Sequence, residues 1–81
     1  MVLSRRFAHD FEALPRHIQE AIDRRLDQLE QDPFQTDIRK LVGMTTTYRV
    51  RAGDYRIIVD LDLPAQTATL QRVLHRREAY R

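Results

Sequence analysis

The chain has 81 residues, no cysteine, three histidines and a formal net charge of +2. That length supports one domain, 1–81, around a single core, and the lack of cysteine removes disulfides, thiolate chemistry and cysteine-based zinc sites while pointing to a cytoplasmic location. No apolar run reaches the length of a membrane span, MVLSRRF lacks the apolar segment of a signal peptide, and His9, His17 and His75 are too scattered to form a metal site, so neither membrane, metal nor other cofactor is expected.

Charge is divided unevenly along the chain. Residues 1–36 carry five arginines against seven carboxylates, whereas residues 37–81 carry nine basic residues against five acidic ones. A localised basic surface favours a polyanion such as nucleic acid as partner. Thirteen of the fourteen basic residues are arginine, and Lys40 is the exception.

In chain order, Ser4 is placed to cap a first helix. Phe7, Phe11, Leu14, Ile18, Ile22, Leu26 and Leu29 recur every three or four residues and form one apolar stripe. Proline is tolerated in a first turn but not in a helix interior, so Pro15 divides the run into two helices meeting near Leu14. Asp32-Pro33 ends the second helix, and DIRKLVGMTT reads as a connector.

The period then changes to two. Tyr48 and Val50 alternate with Arg49 and Arg51, Ala52-Gly53-Asp54 has turn chemistry, and Tyr55, Ile57, Val59 and Leu61 alternate with Arg56, Ile58 and Asp60. This is an antiparallel hairpin. A second turn near Leu63-Pro64-Ala65-Gln66 leads to a strand from about Thr67 to Leu74. Two helices followed by a small antiparallel sheet make an α+β domain. If the tyrosines and aliphatic residues of the hairpin face the helices, Arg49, Arg51 and Arg56 stand on the opposite face. Arg72, between Leu70 and Leu74, belongs to that face only if its strand bulges.

The C-terminal HRREAYR, residues 75–81, adds basic, protic and aromatic groups after the last strand. Guanidinium groups grip phosphate oxygens and stabilise charge in phosphoryl transfer, while imidazole or phenol can move protons or stack on a base. The competing view of this segment is a polar tail.

LPRHIQEAIDRRLDQLEQDP, KLVG, YRVRAGDYRIIVDL and VLHRREAYR, in that order, resemble the RelE/ParE superfamily of type II toxin–antitoxin toxins, and its RelE branch in particular. The resemblance covers nearly the whole chain, and YRVRAGDYRII with HRREAY are its most specific parts. It implies two helices packed on an antiparallel sheet, with a first strand that Met1-Val2-Leu3 leave very short. It also implies a ribosome-dependent, metal-free endoribonuclease that cuts messenger RNA by 2′-hydroxyl attack. A cognate antitoxin would neutralise it in a hetero-oligomeric complex.

Carried over by position, the catalytic residues implied are Arg56, Arg76 and Tyr80, with Arg49, Arg51 and Arg77 on RNA; Arg77 is the alternative to Arg76 if the register slips by one. Some relatives carry lysine where Arg49 and Arg51 stand. A crowded lysine can serve as a base where an arginine does so far less readily, which leaves His75 as the side chain suited to proton transfer. The alternative function is a ParE-like DNA gyrase inhibitor with the same fold and no ribonuclease activity. The antitoxin is expected to be acidic or of mixed charge and to mask the basic face.

Overall fold

The computed structural model describes residues 1–31, 38–40, 46–62 and 64–79. A two-residue strand β1 (Val2–Leu3) leads into helices α1 (Arg5–Glu12) and α2 (Arg16–Gln31). Strands β2 (Ile38–Lys40), β3 (Thr47–Ala52), β4 (Tyr55–Asp62) and β5 (Thr67–His75) follow, and a single turn of helix, α3 (Arg76–Ala79), comes after β5. The five strands form one sheet in the order β1-β5-β4-β3-β2. All neighbours are antiparallel except β1, which runs parallel to β5.

The apolar stripe of the helices is the half of the core that they supply. Phe7, Ile22 and Leu29 are buried, and Phe11, Leu14, Ile18 and Leu26 pack against them. The sheet supplies Val50, Ala52, Ile57, Val59, Leu61, Leu70 and Val73. Pro15 separates the helices as its chemistry requires, and its carbonyl accepts from the N–H groups of Ile18 and Gln19 to open α2. Gln19 reaches back to the carbonyl of Phe11 at 2.9 Å and fixes the angle between the two helices. Asp32-Pro33, expected to end α2, lies outside the described residues.

Three features depart from the sequence expectation. The first is β2, whose three residues, Ile-Arg-Lys, are too few to show a period and read as connector. The second is the parallel pairing of Val2–Leu3 with Thr69–Leu70, which makes the sheet mixed. The third is a β-bulge. Ile58 pairs with Arg72 but Val59 pairs with Leu70, so Gln71 is an extra residue on β5. Leu70 and Val73 therefore both face the core although three positions apart. Ser4 serves this bulge and the helix together: its hydroxyl donates to the carbonyl of Gln71 at 2.8 Å and accepts from the N–H of Phe7 at 3.0 Å.

Both outer strands are longer-neighboured than they are covered, and the helices fill the gap with charged side chains. β1 ends before reaching Val73, whose N–H points to the free edge and donates to Asp10 Oδ2 of α1 at 3.0 Å. The Arg72 guanidinium grips the same carboxylate, Nε to Oδ2, at 2.7 Å. On the other side, among the described residues, β2 pairs with β3 as far as Val50. There Arg25 Nε of α2 donates to the Arg51 carbonyl at 2.7 Å. A helix side chain thus takes the place of an adjoining strand at each edge, satisfying backbone groups that pairing leaves over.

Burial works against the charge on Asp10, but the bonds from Arg72 and the Val73 N–H, with the positive charges of Arg72 and His9, outweigh it and hold the carboxyl below its ordinary pKa. A depressed carboxylate contributes stability above its unfolded pKa and loses it as the pH falls through the folded value. Asp10→Asn should cost roughly 1.5 kcal/mol at neutral pH, from the loss of a charge-assisted bond. The gap in urea midpoint between wild type and variant should shrink as the pH drops below about 4; a gap independent of pH would contradict this assignment.

Candidate functional site

The turn between β3 and β4 organises the basic end of the sheet. Gly53 takes φ +61°, and Asp54 is not among the residues of positive φ, which is the sign pattern of a type II′ turn with glycine at its first central position. That two-residue turn sets the register in which Ala52 faces Tyr55, Arg51 faces Arg56 and Arg49 faces Ile58. Val50, Ile57 and Val59 fall on the helix side with no exposed surface. By the pleat, Arg49, Arg51 and Arg56 lie together on the other side.

The three arginines differ in setting. Arg51 is exposed, Arg49 is half-buried, and Arg56 keeps only 7% of its surface accessible. Arg56 Nη1 donates to the Gly53 carbonyl at 2.9 Å and to the Tyr55 carbonyl at 3.0 Å, so its guanidinium is fastened to the turn. Two cations directly opposite in adjacent strands repel each other. The pair is held by the turn and by the buried residues behind it rather than by mutual attraction.

The same turn holds the segment after β5. The Arg76 N–H donates to the Asp54 carbonyl at 2.7 Å, and its guanidinium comes within 4.0 Å of the Asp54 carboxylate. Both side chains of that ion pair are well exposed, so solvent screens it and the backbone bond does most of the positioning. Arg76 is thereby brought to the end of the sheet where Arg51 and Arg56 face each other. Arg77 follows it in α3, and its N–H donates to His75 Nδ1 at 3.3 Å.

His75 pairs with Tyr55 in register, which places it on the helix side of the pleat and not on the side of Arg56. The two rings meet edge-on with centroids 5.3 Å apart. His75 is nevertheless the last residue of β5, adjacent to Arg76 at the same end of the sheet. Tyr80 lies outside the described residues. The bulge carries Arg72 to the pleat side of Arg56, where it turns to the free edge and Asp10.

Asp10 and Arg25 hold backbone groups of the sheet without having stood out in the sequence, and Asp54, expected only as a turn residue, also holds Arg76. A signal existed for two of them. Asp10 follows Phe7 by three positions, and Arg25 follows Ile22 by three and precedes Leu29 by four, so each is a charged residue on or beside the buried stripe. Among the described residues no group of three or more histidines, cysteines or carboxylates converges as a metal site, and no helix is long and apolar enough to cross a membrane.

Residues 1–80 match the model of the ParE toxin family of type II toxin–antitoxin systems. The chain belongs to this family. Within the wider RelE/ParE superfamily its relatives are RelE proteins. Toxin RelE3 of Methanocaldococcus jannaschii is 29% identical over 84 residues, covering 99% of this chain and 93% of that protein. The toxin's fold matches the crystal structure of the RelB–RelE antitoxin–toxin complex from Methanococcus jannaschii with a TM-score of 0.81 and 28% identity over 99% of this chain and 95% of that one. It also matches the isolated E. coli RelE toxin, with a TM-score of 0.76 over 98% and 92% of the two chains; the identity there is 17%, and the likeness is one of fold. The resemblance carried by YRVRAGDYRII and HRREAY is borne out, as is the α+β architecture with a very short first strand.

A side chain on Gly53 would meet nothing within 4 Å, so the turn's demand for glycine is one of backbone conformation alone. Gly53→Ala should destabilise the toxin by about 1–3 kcal/mol, read as a lower urea midpoint with an unchanged denaturant slope. An unshifted midpoint would mean that the turn relaxes freely and does not set the register.

Proposed function

We propose that the toxin is an endoribonuclease that cuts messenger RNA on the ribosome, and that the end of the sheet around the Gly53–Asp54 turn is where it does so. One observation carries the reading: Arg51 and Arg56 stand directly opposite each other, with Arg76 tied to the same turn. Guanidinium groups gathered at one end of a sheet raise the local positive potential and favour an anion there. A scissile phosphate has the charge and the geometry for two guanidinium forks.

The chemistry follows from the groups at hand. A ribose 2′-hydroxyl gives up its proton to water and attacks the adjacent phosphorus, the bond to the 5′-oxygen breaks, and the products are a 2′,3′-cyclic phosphate and a 5′-hydroxyl. Negative charge builds on the non-bridging oxygens in the transition state. Arg56, poorly solvated and fastened by two carbonyls, offers a positive charge that need not reorganise, and this is the arrangement that stabilises such charge best. Arg76 would share that work, while Arg49, Arg51 and Arg77 would hold the RNA backbone and Tyr80 would stack on a nucleotide. His75 spends its Nδ1 lone pair on the Arg77 N–H, so the neutral ring carries its hydrogen on Nε2 and can offer it as a hydrogen bond. We assign it to a hydrogen bond on the leaving 5′-oxygen, which takes its proton from water; this requires the RNA to cross the end of β5 and not the middle of the sheet. The groups gathered are cations and an imidazole, and the reaction so written needs no metal.

The complex of the Methanococcus relative with RelB supports a cognate antitoxin as the toxin's partner in a hetero-oligomer. A second reading is kept alive by the matching family itself, which bears the ParE name: inhibition of DNA gyrase on the same fold without RNA cleavage.

End-mapping of a reporter message on ribosomes separates the two. Wild-type toxin should produce cuts in the decoding site, and Arg56→Ala should lower the cleavage rate by about 10²–10³-fold, the usual effect of losing one preorganised charge-stabilising donor. Folded wild-type toxin that makes no cuts but blocks gyrase supercoiling, with Arg56→Ala equally effective, would establish the second reading instead.

A further inference from the structure

A charged side chain of the helix layer reaches the backbone of the basic end directly. Arg25 lies on α2 between the buried Ile22 and Leu29, and it is half-buried where its neighbour Arg24 is exposed. Its Nε donates to the Arg51 carbonyl at 2.7 Å, and its Nη1 donates to Gln28 Oε1 at 2.8 Å. Gln28 follows Arg25 by three positions, so it shares the same face of α2 and sets the direction of the guanidinium. The hairpin decides which group Arg25 meets. In a ladder closed by a two-residue turn the first pair, Ala52 with Tyr55, exchanges hydrogen bonds and the next, Arg51 with Arg56, does not. The Arg51 carbonyl therefore points away from β4, toward the edge where the described pairing with β2 stops at Val50. Arg25 takes that carbonyl.

We propose that Arg25 is a positioning residue for RNA: by holding the Arg51 peptide it aims the Arg51 side chain, and so fits Arg51 and Arg56 to one phosphate. A long side chain magnifies any rotation of its own peptide, and a fork already aimed binds more tightly than one that binding must order. Arg25 itself comes from the layer behind the sheet as RNA meets it, so its effect passes through Arg51. Gln28 belongs to the same device, because it fixes the guanidinium that fixes the strand. The inference rests on the reading that RNA is held at this end of the sheet, and it adds to that site two residues from α2. It also gives the edge brace a purpose beyond stability. The backbone group that Arg25 satisfies belongs to a residue whose side chain is assigned to the RNA backbone.

The test is a mutant cycle on RNA affinity, read at low salt by fluorescence anisotropy of a labelled short RNA that lacks the scissile 2′-hydroxyl. Arg25→Met should weaken binding about fivefold to tenfold, the scale of one lost hydrogen bond. Arg25→Lys, which keeps a donor for the carbonyl, should recover most of that loss. Gln28→Ala changes no charge and should weaken binding about twofold, the scale of one contact between neighbours on a helix face. In toxin that already carries Arg51→Ala, Arg25→Met should have no further effect, since nothing is left for it to aim. An equal loss with and without Arg51 would make Arg25 a phosphate contact or a bare charge and overturn the proposal. Wild-type affinity in folded Arg25→Met toxin would also overturn it, as would folded wild-type toxin that leaves this RNA unbound. Wild-type toxin that binds the RNA with this pattern but makes no cuts on ribosomes would sink the ribonuclease reading and leave the role of Arg25 standing.

Discussion

The turn at Gly53–Asp54 is the constraint on which the rest of the basic end depends. A two-residue turn with glycine in a conformation that other residues rarely adopt favours one register, and that register decides which side chains meet. It buries Val50, Ile57 and Val59 against the helices and leaves Arg51 facing Arg56. Its carbonyls then do further work: that of Gly53 fastens the Arg56 guanidinium, and that of Asp54 receives the N–H of Arg76 from beyond β5. Arg51, Arg56 and the sequence-distant Arg76 are fixed by one turn.

Holding cations together requires a frame that does not yield. The frame is the half-core formed by the helices and the inner face of the sheet, closed at both edges by helix side chains. Asp10 on one side and Arg25 on the other complete backbone hydrogen bonding where β1 and β2 stop. Arg25 binds the carbonyl of Arg51 itself, so the brace at that edge bears directly on the arginine pair. The helices are therefore more than a cover for the sheet, since they supply the polar groups that end it.

Much of this was legible in the sequence, and the reasons differ by element. The helical stripe from Phe7 to Leu29 and the alternation from Tyr48 to Leu61 are long enough to declare their periods, and the arginine face followed from the pleat. β2 was hidden because three residues have no period. The bulge at Gln71 was hidden because strict alternation from Leu70 would have turned Arg72 inward, and the hydroxyl of Ser4 that binds the Gln71 carbonyl comes from the other end of the chain. The burial of Arg56 could not be read at all, because it comes from tertiary contact on a face that the pattern marks as polar. His75 was grouped with the arginines by proximity in sequence, whereas its pairing with Tyr55 puts it across the pleat at the strand's last position.

The central claim is that phosphate is held at one end of the sheet, by the residues around the turn. The measurement that tests it most directly is an amide NMR titration with a short RNA whose scissile 2′-hydroxyl is replaced by hydrogen, so that it binds without being cut. The account predicts shifts concentrated at residues 51–56 and 75–77 that fade as salt rises. Shifts confined to α1 and α2, or none at low salt in folded toxin, would contradict it.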